Sequence, residues 1–285
     1  MQRSEFQRRA DFARRLLASP TAAIGLVLFL IIFAMAASAG WLYPQDPMAL
    51  AGRPLQLPFT NPALPLGTDS VGRNIAAQLF YGARTSLLIG FTATFIAIVV
   101  GIVIGAIAGY YGGWIDTGLM RVTEAFQTVP SFILLLVLVL IFGSKLATLA
   151  LAIGVVSWTA PARLTRAEFL TLRNREFVQA CRVMGMGDLN IIFREILPNA
   201  LPPIIVYASV VMALAILLES SLAFLGFSDP NIASWGNLIG DGRRVLRANA
   251  YVAALPGIAI LITVLSVSLF GQGLNDVLNP KLRSA

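Results

Sequence analysis

Residues 176–203, EFVQACRVMGMGDLNIIFREILPNALPP, form a charged, glycine-punctuated, helix-prone stretch lodged between two long apolar runs. Asn174 can cap a short helix through REFVQACRVM, and Gly185 supplies the flexible backbone that a helix C-terminus prefers. Asp188 is a good N-cap for a second helix, LNIIFREIL, because its carboxylate can accept from first-turn N–H groups. Pro198 ends that helix, and Pro202 and Pro203 fall where the first turn of the next helix tolerates missing donors. Each helix is about ten residues, roughly 15 Å, and helices this short are marginal alone in water. The apolar side chains of Val178, Val183, Met184 and Met186 therefore need a partner. Two readings stand level: a loop lying on its own bundle, or a knob on which a cytoplasmic subunit docks.

Outward from this stretch the chain is apolar. Of 285 residues, 57% are hydrophobic and 12% charged, whereas soluble domains carry about a quarter charged residues. Runs of about 18 or more apolar residues can cross the hydrocarbon as helices. Six are expected, at about Thr21–Tyr43, Thr85–Tyr110, Thr117–Phe142, Leu146–Ala162, Ile204–Gly226 and Val252–Leu274. The fold class is an all-α polytopic membrane protein. The first run has a basic start and a small-residue ASA at 37–39, as a cleaved leader would. Its apolar core is longer than the roughly 7–15 residues of a leader, so a retained anchor is expected.

Charge sets the orientation. With the N-terminus inside, the inner segments hold fourteen Lys and Arg and the outer segments seven, the densest clusters lying in residues 1–20 and 163–200. That bias places both termini in the cytoplasm. The net charge of +7 resides in short loops beside apolar runs, which fits topology signals rather than a nucleic-acid face. One cysteine, Cys181, excludes an internal disulfide framework and a cysteine-rich metal site. The absence of histidine removes the commonest metal ligand and general base. No metal site and no covalent chemistry are expected.

Within the runs, Gly101, Gly105 and Gly109 repeat every four residues and expose one helix face to close packing. Pro130 and Pro256 are expected to bend their helices as fixed shape. Ionisable residues at membrane depth are functional candidates. Glu124 lies three residues after Arg121, so a local pair is expected, with substrate contact as the other role. Glu219 sits toward the outer leaflet and either lines an exit or bonds a neighbouring helix. In the outer segment 227–250, Trp235, Arg243 and Arg244 are candidates for contact with an external partner, though an aromatic ring there also anchors an interface. The chain has no G-x-x-x-x-G-K-[ST] loop, so its energy comes from a partner or an ion gradient. A proton-driven secondary transporter using Glu124 and Glu219 is the rival class.

With Gln179, Ala180, Gly185 and the pair Leu197–Pro198, the opening stretch resembles the EAA coupling loop of bacterial ABC importer permeases. That pattern is Glu-Ala-Ala, three residues, Gly, then a longer spacer to Leu-Pro. Here Gly185 is six residues after Gln179, and Pro198 is thirteen after Gly185. Gln179 replaces the Glu and removes its charge, while Cys181 replaces the second Ala as another small residue. The stretches LGTDSVGRNIAAQLFYGARTSLLIG (66–90), GYYGGWIDTGLMR (109–121), VSWTAPARLTRAEFLTLRNREFVQAC (156–181), ESSLAFLGF (219–227) and SWGNLIGDGR (234–243) resemble the C-type permease subunit of di- and oligopeptide importers, a group that also includes importers of nickel chelates and glutathione. Asn74 stands where that group usually has Asp.

The resemblance implies a type I ABC importer permease fold with six transmembrane helices. Residues 1–72 would form the tail, first anchor and outer loop. Residues 73–285 would form the permease core, with the coupling loop at 163–200. It implies a homologous second permease, two cytoplasmic ABC ATPases that bind the ATP and Mg, an extracytoplasmic substrate-binding protein, and the bacterial inner membrane. Gln179, Ala180, Cys181, Gly185, Leu197 and Pro198 would couple the chain to the ATPase.

Overall fold

The computed structural model describes residues 18–278 together with Arg14 and Leu16. The basic cluster expected at the N-terminus therefore lies largely outside the described residues, as do Lys281 and Arg283. Ten helices carry the described chain: α1 (Pro20–Leu42), α2 (Ile75–Tyr111), α3 (Gly113–Thr128), α4 (Ser131–Phe142), α5 (Leu146–Ser157), α6 (Thr159–Leu172), α7 (Glu176–Val183), α8 (Asp188–Phe224), α9 (Trp235–Gly242) and α10 (Tyr251–Leu278). Among the described residues the only β pairing is three isolated bridges in the loop before α2.

Four helices (α1, α2, α8 and α10) are long and apolar enough to cross a membrane, and two bent pairs bring the number to six. The expected third run is not one rod. It breaks by 82° between α3 and α4, at Val129 and Pro130. Val129 takes the extended backbone that a following proline imposes, and Pro130 then caps α4. The fourth run bends by 43° at Trp158 and continues as α6 to Leu172, ten residues past its expected end. Pro161 is the third residue of α6, where its missing donor costs little. Pro256 lies inside α10 and does not divide it.

α2 is the central pillar, 37 residues or roughly 55 Å. Asn74 caps it, its Oδ1 accepting from the Ala76 and Ala77 N–H groups at 2.9 and 3.4 Å. Asn and Asp cap equally well, so the departure from the usual Asp leaves the helix start intact. Gly101, Gly105 and Gly109 face α6 as expected. A Cβ at Gly101 would stand 2.9 Å from the Ala162 nitrogen, and one at Gly109 would stand 2.8 Å from the Arg166 carbonyl oxygen.

The loop before α2 is organised by Asp69, which is fully buried. Its carboxylate accepts from the N–H groups of Val71, Gly72 and Arg73 at 2.8–2.9 Å and from Gln78 Nε2 at 2.9 Å. That is why the chain reads GTDSVGR there: the acid gathers a tight turn onto the first turn of α2. Hydrogen bonds to a charged acceptor are each worth about 1.5–3 kcal/mol. Asp69→Ala is expected to cost about 3 kcal/mol, read as a lower melting temperature and faster proteolysis within residues 44–74.

Three buried clusters hold the bundle. One joins α1, α2, α8, α9 and α10 around Ile75 and Trp235, and a second joins α2, α4, α5 and α8 around Leu135 and Ile153. The third, around Phe169, Ile191 and Ile196, includes Val178 and Cys181 of α7. It seats the opening stretch on the rest of the molecule.

Candidate coupling interface

The connector between α6 and α8 is held by polar contacts to the end of α2. Arg173 Nη1 donates to the carbonyls of Gly109 and Tyr110 at 3.0 and 3.2 Å, placing a cation on the free C-terminal carbonyls of α2. The Tyr110 hydroxyl donates to Asp188 Oδ1 at 2.6 Å, and the Arg182 guanidinium lies 5.5 Å over the Tyr110 ring. Arg166 of α6 grips Asp116 of α3 through both carboxyl oxygens, Nη2 to Oδ2 being 2.6 Å. None of these four anchors is visible as a local pattern, because each joins residues far apart in sequence.

Within this frame the two short helices differ from their expected form. Arg175, not Asn174, caps α7; the Asn174 amide instead donates back to the Leu170 carbonyl at 3.3 Å. Asp188 is the first residue of α8 rather than its cap, its carboxylate being taken by Tyr110. Pro198 does not end the second helix. A proline there cannot donate to the Arg194 carbonyl, and the chain widens into a π turn over Ile191–Ile196 and runs on. Pro202 and Pro203 consequently sit inside a 37-residue helix. The expected pair of separate helices is one short helix joined to one long rod.

Gly185 behaves as its type demands. Its φ is +79°, its N–H donates to the Arg182 carbonyl, and the Met186 N–H donates to the Cys181 carbonyl at 3.0 Å. These two bonds are the reciprocal closure of a helix end around a left-handed residue. Of the apolar side chains expected to seek a partner, Val178 is buried and Met186 half-buried, whereas Val183 and Met184 remain 88% and 73% exposed. Both readings of the stretch therefore hold, on opposite faces. One face lies on the bundle, and the other offers Val183, Met184, Leu189 and Phe193 to the outside. Gln179, Ala180 and Gly185 are exposed with that outer face, Cys181 is buried behind it, and Leu197 and Pro198 follow the π turn, half-buried and exposed.

The other sequence candidates separate. Glu124 pairs with Arg121 at 3.1 Å on an exposed surface, the local pair expected. Glu219 is buried and accepts from the hydroxyls of Ser86 and Ser220 at 3.3 Å, so it bonds a neighbouring helix. Trp235 is corrected as an external contact: it is 0% exposed, and its indole N–H donates to the Leu79 carbonyl at 3.0 Å. It is the core residue that fixes α9 to α2. Arg243 and Arg244 are exposed, with Arg243 stacked 5.3 Å from the Phe224 ring. They border a groove of about 260 Å³ that also takes in Arg73 and Asp241. Burial pushes the Asp241 carboxyl above its ordinary range, against the opposing pull of Arg73 at 4.0 Å.

Comparison with known proteins places this architecture. The family described as binding-protein-dependent transport system inner membrane component matches residues 101–284. The N-terminal TM domain of oligopeptide transport permease C matches residues 8–61. The chain is 41% identical over 268 residues to the dipeptide transport system permease protein of Escherichia coli K12, covering 92% of this chain and 89% of that one. It is 37% identical over 268 residues to the protein of the same name from Haemophilus influenzae, covering 92% and 91%. A solved chain of the MetNI methionine ABC transporter, in an inward-facing form, shares the fold with a TM-score of 0.55 at 18% identity, covering 70% of this chain and 96% of that one. With its bundle of four to six spans, the chain belongs to the binding-protein-dependent inner membrane transport components, as a multi-pass permease subunit of the ABC importer type and of the C-type dipeptide and oligopeptide group.

Proposed function

We propose that this chain forms half of the transmembrane pathway of a peptide importer. A homologous second permease forms the other half, and two cytoplasmic ATPases, which hold the ATP and Mg, drive it. An extracytoplasmic binding protein delivers di- or oligopeptides, and Arg243 and Arg244 at the outer groove are its contacts here. Both termini face the cytoplasm. The carrying observation is the outward face of α7 and the start of α8: an apolar surface, with Gln179, Ala180 and Gly185 beside it, joined without a break to a 37-residue helix. A movement of the ATPases against that face turns α8 as a lever. The names of the relatives support the peptide cargo.

The chain contributes positions and no covalent step. Its purification from the native membrane in mild detergent should bring down a second permease and P-loop ATPases, and uptake of a labelled dipeptide by the reconstituted assembly should require ATP. A solitary chain that moves solute without ATP would reject the proposal. Because exposed ion pairs contribute little, Glu124→Gln is expected to leave uptake within about twofold of the parent. A proton-driven carrier depending on this residue would lose uptake.

A further inference from the structure

α7 and the start of α8 rest on the bundle through an apolar seat. Val178, Cys181, Ile191 and Ile196 pack with Ala106 and Phe169, contacts that gain from burial but have no preferred direction. Among the described residues, one hydrogen bond ties residues 176–198 to a helix other than α7 and α8: the Tyr110 hydroxyl donates to Asp188 Oδ1 at 2.6 Å. The turn between the two helices does not fix their angle by packing. No atom lies within 4 Å of a Cβ built at Gly185 or Gly187.

Tyr110 is itself held on a rigid platform. It lies in the last turn of α2, its ring 6% exposed, and Arg173 at the end of α6 donates to its carbonyl. One turn back, Gly105 and Gly109 bring the α2 backbone against α6. From that platform the side chain meets both halves of the connector. Arg182 of α7 lies over the ring face, and Asp188, the first residue of α8, takes the hydroxyl. The carboxylate of Asp188 is exposed, so water can solvate it when the bond is absent, and the bond is not needed to keep a buried charge satisfied. Its distinctive contribution is direction. A short hydroxyl-to-carboxylate bond fixes one point of the connector, whereas the apolar seat alone lets the connector slide. A push on the outer face of α7 then turns α8 about its held first residue.

We infer that Tyr110 is a positioning residue for transport, the pivot on α2 against which the connector turns α8. The inference rests on the importer reading above. The test uses the whole assembly reconstituted in vesicles with its binding protein, and reads labelled dialanine imported per ATP hydrolysed. Tyr110→Phe keeps the buried ring and its contact with Arg182 and deletes the bond alone. Its yield per ATP is expected to fall by about three- to tenfold, the change that one directional hydrogen bond carries, at the parent's accumulation. Asp188→Ala, a change at an exposed residue, should do the same, and the double variant should lose no more than either single one, because both remove one bond. Asp188→Asn keeps an oxygen acceptor and should retain most of the yield. An unchanged yield in Tyr110→Phe, or additive losses in the double variant, would overturn the inference while leaving the importer intact. A parent assembly without ATP-dependent uptake would reject the importer reading and the inference with it.

Discussion

Gly185→Leu is expected to cut coupled uptake about tenfold while the protein still reaches the membrane. The substituent itself has room, since nothing lies within 4 Å of a Cβ built at Gly185. The backbone is what objects, because φ is +79° and the left-handed conformation costs an L-residue about 1–2 kcal/mol. That strain falls on the two hydrogen bonds closing α7, from Gly185 to Arg182 and from Met186 to Cys181. When they open, Val183 and Met184 lose their fixed presentation, and with it the seat of α7 on a partner. A cost of this size weakens docking by roughly tenfold, and a fall in uptake of that order is expected at unchanged membrane abundance. Gly185→Asn, which tolerates the same backbone, should retain most of the uptake. A leucine variant that transports like the parent would remove Gly185 from the lever.

Gly105→Leu is expected to have a larger and different effect, the loss of folded protein. A Cβ at Gly105 would come within 2.7 Å of Thr165 Cβ and 2.9 Å of the Arg166 backbone nitrogen. Neither neighbour can rotate away, so α2 and α6 must separate along their contact. Separation also pulls Arg166 from Asp116 and Arg173 from the end of α2. The expected readout is accumulation reduced at least several-fold, with the residual protein melting lower. Gly118→Leu, at an open position, serves as the control and should accumulate normally.

The two variants separate what the sequence states openly from what it hides. The spans, the glycine face of α2 and the turn at Gly185 were legible, because each rests on a local rule: length and polarity, four-residue spacing, left-handed backbone. The continuity of α8 was not. Pro198, Pro202 and Pro203 read as breaks, yet tertiary packing of Ile191, Ile192, Ile196, Ala200 and Ile204 into one cluster keeps the helix going and lets a π turn absorb the first proline. Asn174 and Asp188 satisfied a capping rule on paper, but Asp188 was claimed by Tyr110 from 78 residues away. Trp235 looked like an interfacial ring because composition cannot tell a ring at the surface from one buried in the seam between α2 and α9. Glu219 was marked by its depth alone; Ser220 stands beside it in sequence, but Ser86, 133 residues away, joins it only in the folded chain.

In the proposed importer a partner covers the exposed face of α7. Val183 is well placed to report it, being 88% exposed in the chain alone, and the native Cys181 is buried and replaceable by Ala. The decisive measurement is the rate at which a membrane-impermeant maleimide labels Val183→Cys in the isolated chain and in the assembly purified from its own membrane. Labelling at least about tenfold slower in the assembly, with Trp114→Cys labelled equally in both, is the predicted result. Equal rates at Val183→Cys in a preparation that still imports its solute would contradict the account.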